Sequence, residues 1–403
     1  MHKGFARGKT IMKIAGIIAE YNPFHRGHAY HIRRTREMTG CDFVVACMDG
    51  HFTQRGEPAC MSKWMRAKMA IACGADIVVE LPALYAVRTA DAFARGGVDI
   101  LGGLGVDCLS FGSETDDLAL LEKLAEIREN EPKTVSVRIR ENLEAGMSHA
   151  RARGLAVGEY LGVDPEMLNR PNLILATEYI RRIKGKYPSM LPVAVPRIGG
   201  YHDDTLGAFA SASAIRGAFS RGDTEEGLNC LPDEVRAFAK PDKMHSMDDL
   251  LLHRIREMSL EDISALPDMG EGLESRLYRL CREKGSREEL LEAMKCKRYT
   301  HARLSRMLTH ALLGMTQVMV DSHPVPEYAR VIAMHEAAGS LLKELSERAS
   351  IPVVSNARQI KDHPAFELER RATDIWSLLH DDSAERLPGR EFTEKFIRFG
   401  RPE

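Results

Sequence analysis

Ile14-Ala-Gly-Ile-Ile-Ala-Glu-Tyr-Asn-Pro-Phe-His-Arg-Gly-His28 is the stretch on which the fold turns. Its first six residues, Ile14 to Ala19, form an apolar run bounded by the turn residues Asn22 and Pro23, which reads as a buried strand. The polar stretch that follows, with apolar positions at Tyr30 and Ile32, reads as a helix. His25-Arg-Gly-His28 falls between the two. Residues three apart share a face in a helical first turn, so the spacing points His25 and His28 the same way. Gly27 removes a side chain where phosphates need to approach the backbone. Free N–H groups at a helix N-terminus favour anions. Two imidazoles beside them suit the charge that develops on an α-phosphate under attack. The pattern is that of a site transferring the AMP end of ATP. Four such residues also arise by chance, as a turn with two solvated histidines; the strand, the Asn-Pro turn and the helix give the motif its context.

Outward from this stretch, apolar runs alternate with helical patterns. Cys41 to Met48 and Asp76 to Leu81 read as strands, as does Val106 to Gly112, which closes on Gly112-Ser-Glu114. Between them lie the loop Asp49 to Pro58, a helix from about Ser62, and a helix from Ala90 to Leu101. Such alternation predicts an α/β fold with a doubly wound parallel sheet. Ligands of such sheets sit beyond the C-terminal strand ends, where the loops Tyr21–His28, Asp49–Pro58 and Gly112–Glu114 would all lie. Helices are expected over Asp116–Asn130 and Lys133–Ala156, the second arginine-rich and read as a solvated face. Arg170-Pro-Asn172 caps a helix over Leu173–Arg182, and Met190–Val195 is a fifth strand leading into Pro196 to Asp203. Ser211-Ala-Ser-Ala-Ile-Arg216 reads as another helix N-terminus, with a hydroxyl cap and an arginine one turn later. By itself it is also the pattern of a plain capped helix.

From about Gly222 helical periodicity replaces the alternation. The expected division is a nucleotide-binding catalytic domain over 12–225 and a mainly α-helical domain over 226–403. In the second, Cys296 to His310 places Tyr299, Arg303, Arg306 and His310 on one helix face, with Lys297 and Arg298 just before, and Leu304, Leu308 and Leu312 as an apolar stripe elsewhere. By pattern the basic stripe reads first as a solvated surface helix, and second as an RNA phosphate track with one stacking group.

Composition bounds the rest. The 403 residues are 44% hydrophobic and 28% charged, as in a globular protein with ample core. A net charge of −2 gives no overall bias towards nucleic acid, so any RNA site is a local patch. No apolar run approaches the roughly 20 residues of a membrane span. Met1 to Thr10 is basic without an apolar core, unlike a signal peptide, and Met12-Lys-Ile reads as an alternative start. Eight scattered cysteines without a CxxC read as reduced thiols of a cytoplasmic protein. Nothing marks a protein partner.

The sequence Gly16-Ile-Ile-Ala-Glu-Tyr-Asn-Pro-Phe-His-x-Gly-His28 resembles the tRNA(Met) cytidine acetate ligases, a branch of the HxGH nucleotidyltransferases with a Rossmann-type fold. The resemblance runs through most of the chain, taking in Gln54-Arg-Gly-Glu-Pro58, Trp64 and Arg66, Asp76–Pro82, and Tyr299 to Arg306. It implies that ATP is held by the block Ile17-Ile18-Ala19-Glu20-Tyr21-Asn22-Pro23-Phe24-His25-Arg26-Gly27-His28-Ala29-Tyr30, with Gly112, Asn172 and Arg197. It implies activation of acetate to acetyladenylate, with Mg²⁺ accompanying the nucleotide. Acetyl transfer to N4 of the wobble cytidine of elongator tRNA(Met) follows, giving N4-acetylcytidine. His25 and His28 would act on the α-phosphate. In an HxGH enzyme the Ser-x-x-Ile-Arg element is expected to hold the β- and γ-phosphates, here through Ser213 and Arg216. Arg55, Lys63 and Arg66 are candidates for pairing the acetate carboxylate. Lys297, Arg298, Tyr299, Arg303 and Arg306 are candidates for tRNA.

Two other functions fit the same fold. One is a small-molecule adenylyltransferase, against which nearly 180 further residues with a basic helix argue. The other is a nucleotide- or RNA-binding protein that turns nothing over. A class I aminoacyl-tRNA synthetase is disfavoured, because Met61-Ser-Lys63 comes too early to be its Lys-Met-Ser-Lys-Ser loop.

Overall fold

Five apolar runs form the parallel core of one sheet: β1 (Ile14–Ala19), β2 (Phe43–Asp49), β3 (Ile77–Leu81), β4 (Cys108–Ser113) and β5 (Leu191–Pro196). Their order is β5-β4-β1-β2-β3. Near-continuous apolar runs are what strands covered on both faces require. Successive side chains accordingly enter opposite cores, Ile14 and Ile18 on one face, Ala15 and Ile17 on the other. The computed structural model describes residues 12–197, 206–207, 209–296 and 299–401.

The crossovers carry the helices. α1 (Arg26–Thr39) links β1 to β2, and α2 (Lys63–Ala72) links β2 to β3. α3 (Ala83–Ala86) and α4 (Ala90–Gly103) lead to β4. Between β4 and β5 run α5 (Leu118–Glu129), α6 (Lys133–Glu144), α7 (His149–Leu161), α8 (Pro165–Leu168) and α9 (Pro171–Lys186). The single helix expected over Lys133–Ala156 is thus two, because Gly146 adopts a left-handed φ of 83° that ends the first. α10 (Ala212–Arg221) follows β5.

Helices predominate beyond residue 226, yet the sheet continues there. β6 (Ala329–His335) pairs antiparallel with β3, and β7 (Val353–Val354) and β8 (Ile397–Phe399) both pair parallel with β6. The division expected between 12–225 and 226–403 therefore cuts across one continuous sheet. β6 escaped the sequence reading because Arg330 interrupts its apolar run; that arginine is buried in an ion cluster described below.

From β1 the chain winds one way through β2 and β3, and the other way through β4 and β5. The switch lies between β1 and β4, and ligands of doubly wound sheets sit outside such a point. The HxGH turn leaves β1 there, and Gly112 lies near the end of β4.

Candidate active site

His25 is the extended N-cap of α1, with φ −138° and ψ 175°. Its Nδ1 accepts the Gly27 N–H at 3.0 Å, while Nδ1 of His28, one turn in, accepts the His25 N–H at 3.2 Å. The two histidines form a reciprocal capping box. A ring nitrogen that accepts an N–H carries no proton, so each neutral imidazole keeps its hydrogen on Nε2. The rings stack with centroids 3.8 Å apart and planes 26° apart, and Tyr21 meets His28 edge-on at 4.9 Å. Burial, reinforced by the charges of Arg197 and Arg216, pushes the His25 pKa down to about 3. His28 is held well below its ordinary value by burial first, then by His25, Arg197 and His31. Both rings are therefore neutral at pH 7, and each keeps an Nε2–H that the cap does not use.

Gly27 is needed for a reason the sequence did not disclose. A Cβ there would sit 2.8 Å from His25 Cε1, so the ring occupies the space the glycine leaves. One turn further, His31 Nε2 lies 3.0 Å from Ser110 Oγ and ties α1 to β4.

The Ser211–Arg216 element reaches the same turn. Ser211 Oγ caps α10 by accepting the Ala214 N–H at 3.1 Å. Arg216 donates to the Asn22 carbonyl at 2.6 Å and to Ser213 Oγ at 3.2 Å. Asn22 Oδ1 in turn accepts the Cys60 N–H at 2.9 Å, which fixes the turn before Pro23. Arg216, 194 residues from Asn22, thus ties α10 to the turn that leads into the HxGH motif.

Gly112, Asn172 and Arg197 also converge. The Arg197 N–H donates to the Ser113 carbonyl at 3.2 Å, and its Nη1 donates to Asn172 Oδ1 at 3.1 Å. A Cβ on Gly112 would be 3.5 Å from Arg197 Cγ. Asn172 Nδ2 donates to Glu114 Oε1 at 2.7 Å, while Glu114 Oε2 is buried without a partner. Glu114 had no role in the sequence reading, although it closes the Gly112-Ser-Glu loop. Tyr201 to Asp203 lie outside the described residues. Within the block Ile17–Tyr30, the Ile17 and Ile18 side chains enter the two cores, so a nucleotide could meet them only through the main chain. Arg26 pairs with Asp233 at 3.4 Å, and Glu20 Oε1 accepts the Gln54 N–H at 2.9 Å.

Two acetate candidates are corrected by their surroundings. The Lys63 side chain is 0% exposed, and its ammonium contacts Glu80, Glu369 and Glu391. Arg330 completes this interior cluster by pairing with Glu80 and Glu391. Arg66 is also fully buried; it donates to Asp49 Oδ1 at 2.8 Å and to main-chain carbonyls of Glu20, Asp49, Gly50 and Met61. It clamps the ends of β1 and β2 with no donor left for acetate. Arg55 is exposed on the turn Thr53–Glu57.

The basic stripe is corrected too. The helix His301–Leu313 is interior, not a solvated surface, and every residue from Leu304 onward is buried. Ser305 Oγ donates to the Arg55 carbonyl at 2.5 Å, Thr309 Oγ1 to the Gly56 carbonyl at 2.6 Å, and His310 Nε2 lies 2.6 Å from the Val87 carbonyl. Tyr299 is buried, its hydroxyl donating to Glu271 at 2.7 Å, and Arg303 lies over its ring. Lys297 and Arg298 lie outside the described residues.

Among the described residues, two groups of side chains have ligand spacing for a metal, but both are committed. In His51–Glu369–Glu391 the Lys63 ammonium already supplies the positive charge. In His323–Glu327–His363, His363 Nδ1 accepts the Ala365 N–H at 3.2 Å. The proton then sits on Nε2, which donates to Glu327 at 3.0 Å, so that nitrogen has no lone pair to offer.

Known proteins resemble this chain along most of its length. The HIGH Nucleotidyl Transferase family profile matches residues 12–390. The tRNA(Met) cytidine acetate ligase of Thermoanaerobacter sp. (strain X514) is 35% identical over 408 residues, covering 96% of this chain and 100% of the relative. That of Bacillus subtilis (strain 168) is 38% identical, covering 91% of this chain and 92% of the relative. A crystal structure of Thermotoga maritima TmcAL bound with alpha-thio ATP superposes with a TM-score of 0.87 at 30% identity, over 96% of this chain and 99% of that one. The chain therefore belongs to the tRNA(Met) cytidine acetate ligase family, within the HIGH nucleotidyl transferases.

Proposed function

We propose that this protein activates acetate with ATP and transfers the acetyl group to N4 of the wobble cytidine of elongator tRNA(Met), in the cytoplasm. The observation that carries the reading is the joining at one turn of the two elements expected to hold phosphate. The His25–His28 pair and the Ser213–Arg216 pair meet through the Asn22 carbonyl, at the sheet's switch point.

In the first step an acetate oxygen attacks the α-phosphorus, the bond to the β-phosphate oxygen breaks, and pyrophosphate leaves. The Nε2–H groups of His25 and His28 donate to the α-phosphate oxygens as their charge grows; being neutral, they release no proton. Arg216, Ser213 and the N–H groups opening α10 hold the departing pyrophosphate. Gly112, Asn172 and Arg197 hold the rest of the nucleotide. Mg²⁺ would accompany the triphosphate, bound mainly by phosphate oxygens and water, and would neutralise their charge. Glu114, with its unpartnered buried Oε2, is the carboxylate beside Asn172 suited to it. In the second step the cytidine N4 attacks the acetyl carbonyl, AMP leaves, and N4 loses a proton. Arg55 is the exposed member of the three acetate candidates.

The test is acetate-dependent exchange of labelled pyrophosphate into ATP without RNA. Exchange that requires acetate supports the reading. Exchange with a phosphate-bearing metabolite instead, or none by a protein that binds ATP, would replace it with an adenylyltransferase or a non-catalytic binder.

A further inference from the structure

The interior at the start of the helix His301–Leu313 holds more positive charge than its neighbours neutralise. Arg306 and Arg88 are 8% and 7% exposed. Nε of each is buried with no hydrogen-bond partner, as are Nε of Arg303 and of Arg95 nearby. Arg306 forms no ion pair among the described residues. Arg88 has one, to Asp268 Oδ2 at 4.0 Å, and that oxygen also lacks a hydrogen bond. Other carboxylates that act on Arg88 are engaged elsewhere: Asp91 pairs with Arg181, and Asp321 accepts from Gln317 at 2.8 Å. Buried unpaired guanidinium groups are costly, and such strained charges concentrate at functional sites.

The cluster is held rigidly. Gly56 packs against the helix so closely that a Cβ would lie 2.9 Å from Arg306 Cα. Gln54 joins the cluster to the catalytic edge: its N–H donates to Glu20 Oε1 at 2.9 Å, and its Nε2 donates to the Arg88 carbonyl at 2.8 Å. Glu20 directly follows β1, so the arginines lie along the edge that carries the HxGH turn. They are nonetheless separate from the phosphoryl-transfer centre, where the charges acting on His25 are Arg197 and Arg216.

We propose that Arg88 and Arg306, with Arg303 at the rim, bind one phosphodiester of the RNA substrate. The inference rests on the tRNA reading above and replaces a surface stripe with a recessed site. Arg88 and Arg306 face one carboxylate between them, Asp268, so this pair alone carries excess positive charge that a phosphodiester would offset. The guanidinium fork suits phosphate oxygens. Acetate carries the same charge, but it must react at the α-phosphate beside His25 and His28.

The test measures binding of a tRNA(Met) transcript to Arg306→Gln and Arg88→Gln by fluorescence anisotropy, from about 50 to about 200 mM salt. Each variant should raise Kd about tenfold at low salt and reduce the slope of log Kd against log salt by about 1. Each should unfold at the same denaturant concentration as the parent or higher, because a buried unpaired charge is gone. Arg306→Lys, which keeps the charge but not the fork, should retain the slope with an intermediate Kd. An unchanged Kd and slope would overturn the assignment. So would a lowered unfolding midpoint, which would make the arginines structural, or a raised acetate KM in pyrophosphate exchange with tRNA binding intact. If the parent protein itself binds no tRNA, the proposed function falls with the inference; if the parent binds and only the variants fail to differ, the inference alone falls.

Discussion

Replacing Lys63 by methionine separates a buried structural lysine from an acetate ligand. Its ammonium contacts Glu80, Glu369 and Glu391, whose side chains are 0–1% exposed, and Arg330 is the second cation of the cluster. Burial, then the Glu80 charge, pushes the Glu369 pKa up to about 8, so this carboxyl takes up a proton near neutral pH. The remaining charges, Lys63 and Arg330 against Glu80 and Glu391, then balance. Lys63→Met leaves Glu80 and Glu391 facing Arg330 alone, with one uncompensated buried charge. Breaking a buried pair in this way costs about 3–5 kcal/mol, a large part of the roughly 5–15 kcal/mol typical of a folded domain. Urea denaturation should show that loss. Adding Glu391→Gln restores the balance, so the double variant should lose less than the sum of the two single losses. Exposure of the cluster to high pH should act in the same sense. The Glu369 pKa is raised on folding, so its contribution to stability is whole below about pH 4.5 and lost as pH rises through about 8. A Lys63→Met protein that unfolds within about 1 kcal/mol of the parent, with a raised KM for acetate, would refute the reasoning and return Lys63 to the acetate site.

Gly27→Ala should leave the fold intact, since alanine favours a helix by up to about 1 kcal/mol. It should nevertheless lower kcat/KM for ATP at least tenfold by displacing the His25 ring; equal kinetics in pyrophosphate exchange would contradict the cap geometry. For pH, the sign follows from the lowered His25 pKa. The ring is neutral above about pH 3, and its contribution to stability is whole above about pH 6.5 and lost as pH falls through about 3. The acid limb of kcat/KM for ATP should therefore lie well below pH 6.5. Arg216→Gln removes one of the charges that depress His25 and should move that limb upward; a parent limb at the ordinary histidine value would show that the rings are not depressed, and activity that falls as pH rises through that value would show that they react in the protonated form. Asn172→Ala should raise KM for ATP several-fold with little change in unfolding midpoint, as steady-state kinetics and denaturation would report, since among the described residues the Asn172 side chain is bonded only to Glu114 and Arg197.

The parallel core was legible because β1 to β5 are short apolar runs, punctuated by Asn22, Pro82 and Gly112, that alternate with helical patterns. His25, Gly27 and His28 were legible because three residues of special type sit at helical spacing after such a run. β6 was not, since Arg330 looks like a surface residue until Glu80 and Glu391 are seen around it. Lys63 and Arg66 misled for the same reason: a cation near a substrate loop reads as a ligand, and only tertiary structure supplies the buried acceptors that engage it. The stripe Tyr299–His310 shows the converse. Helical periodicity assigned a polar face to solvent, whereas the turn Thr53–Glu57 and the Val87 carbonyl cover it. Arg88 carries no local signal, because its significance arises only from Arg306, more than two hundred residues away.

The most direct test of the account is nucleoside mass analysis of unmodified elongator tRNA(Met) incubated with the protein, ATP, Mg²⁺ and labelled acetate. The account predicts labelled N4-acetylcytidine, lost when ATP is omitted or in His28→Ala. Unacetylated tRNA from a folded, ATP-binding protein would contradict it.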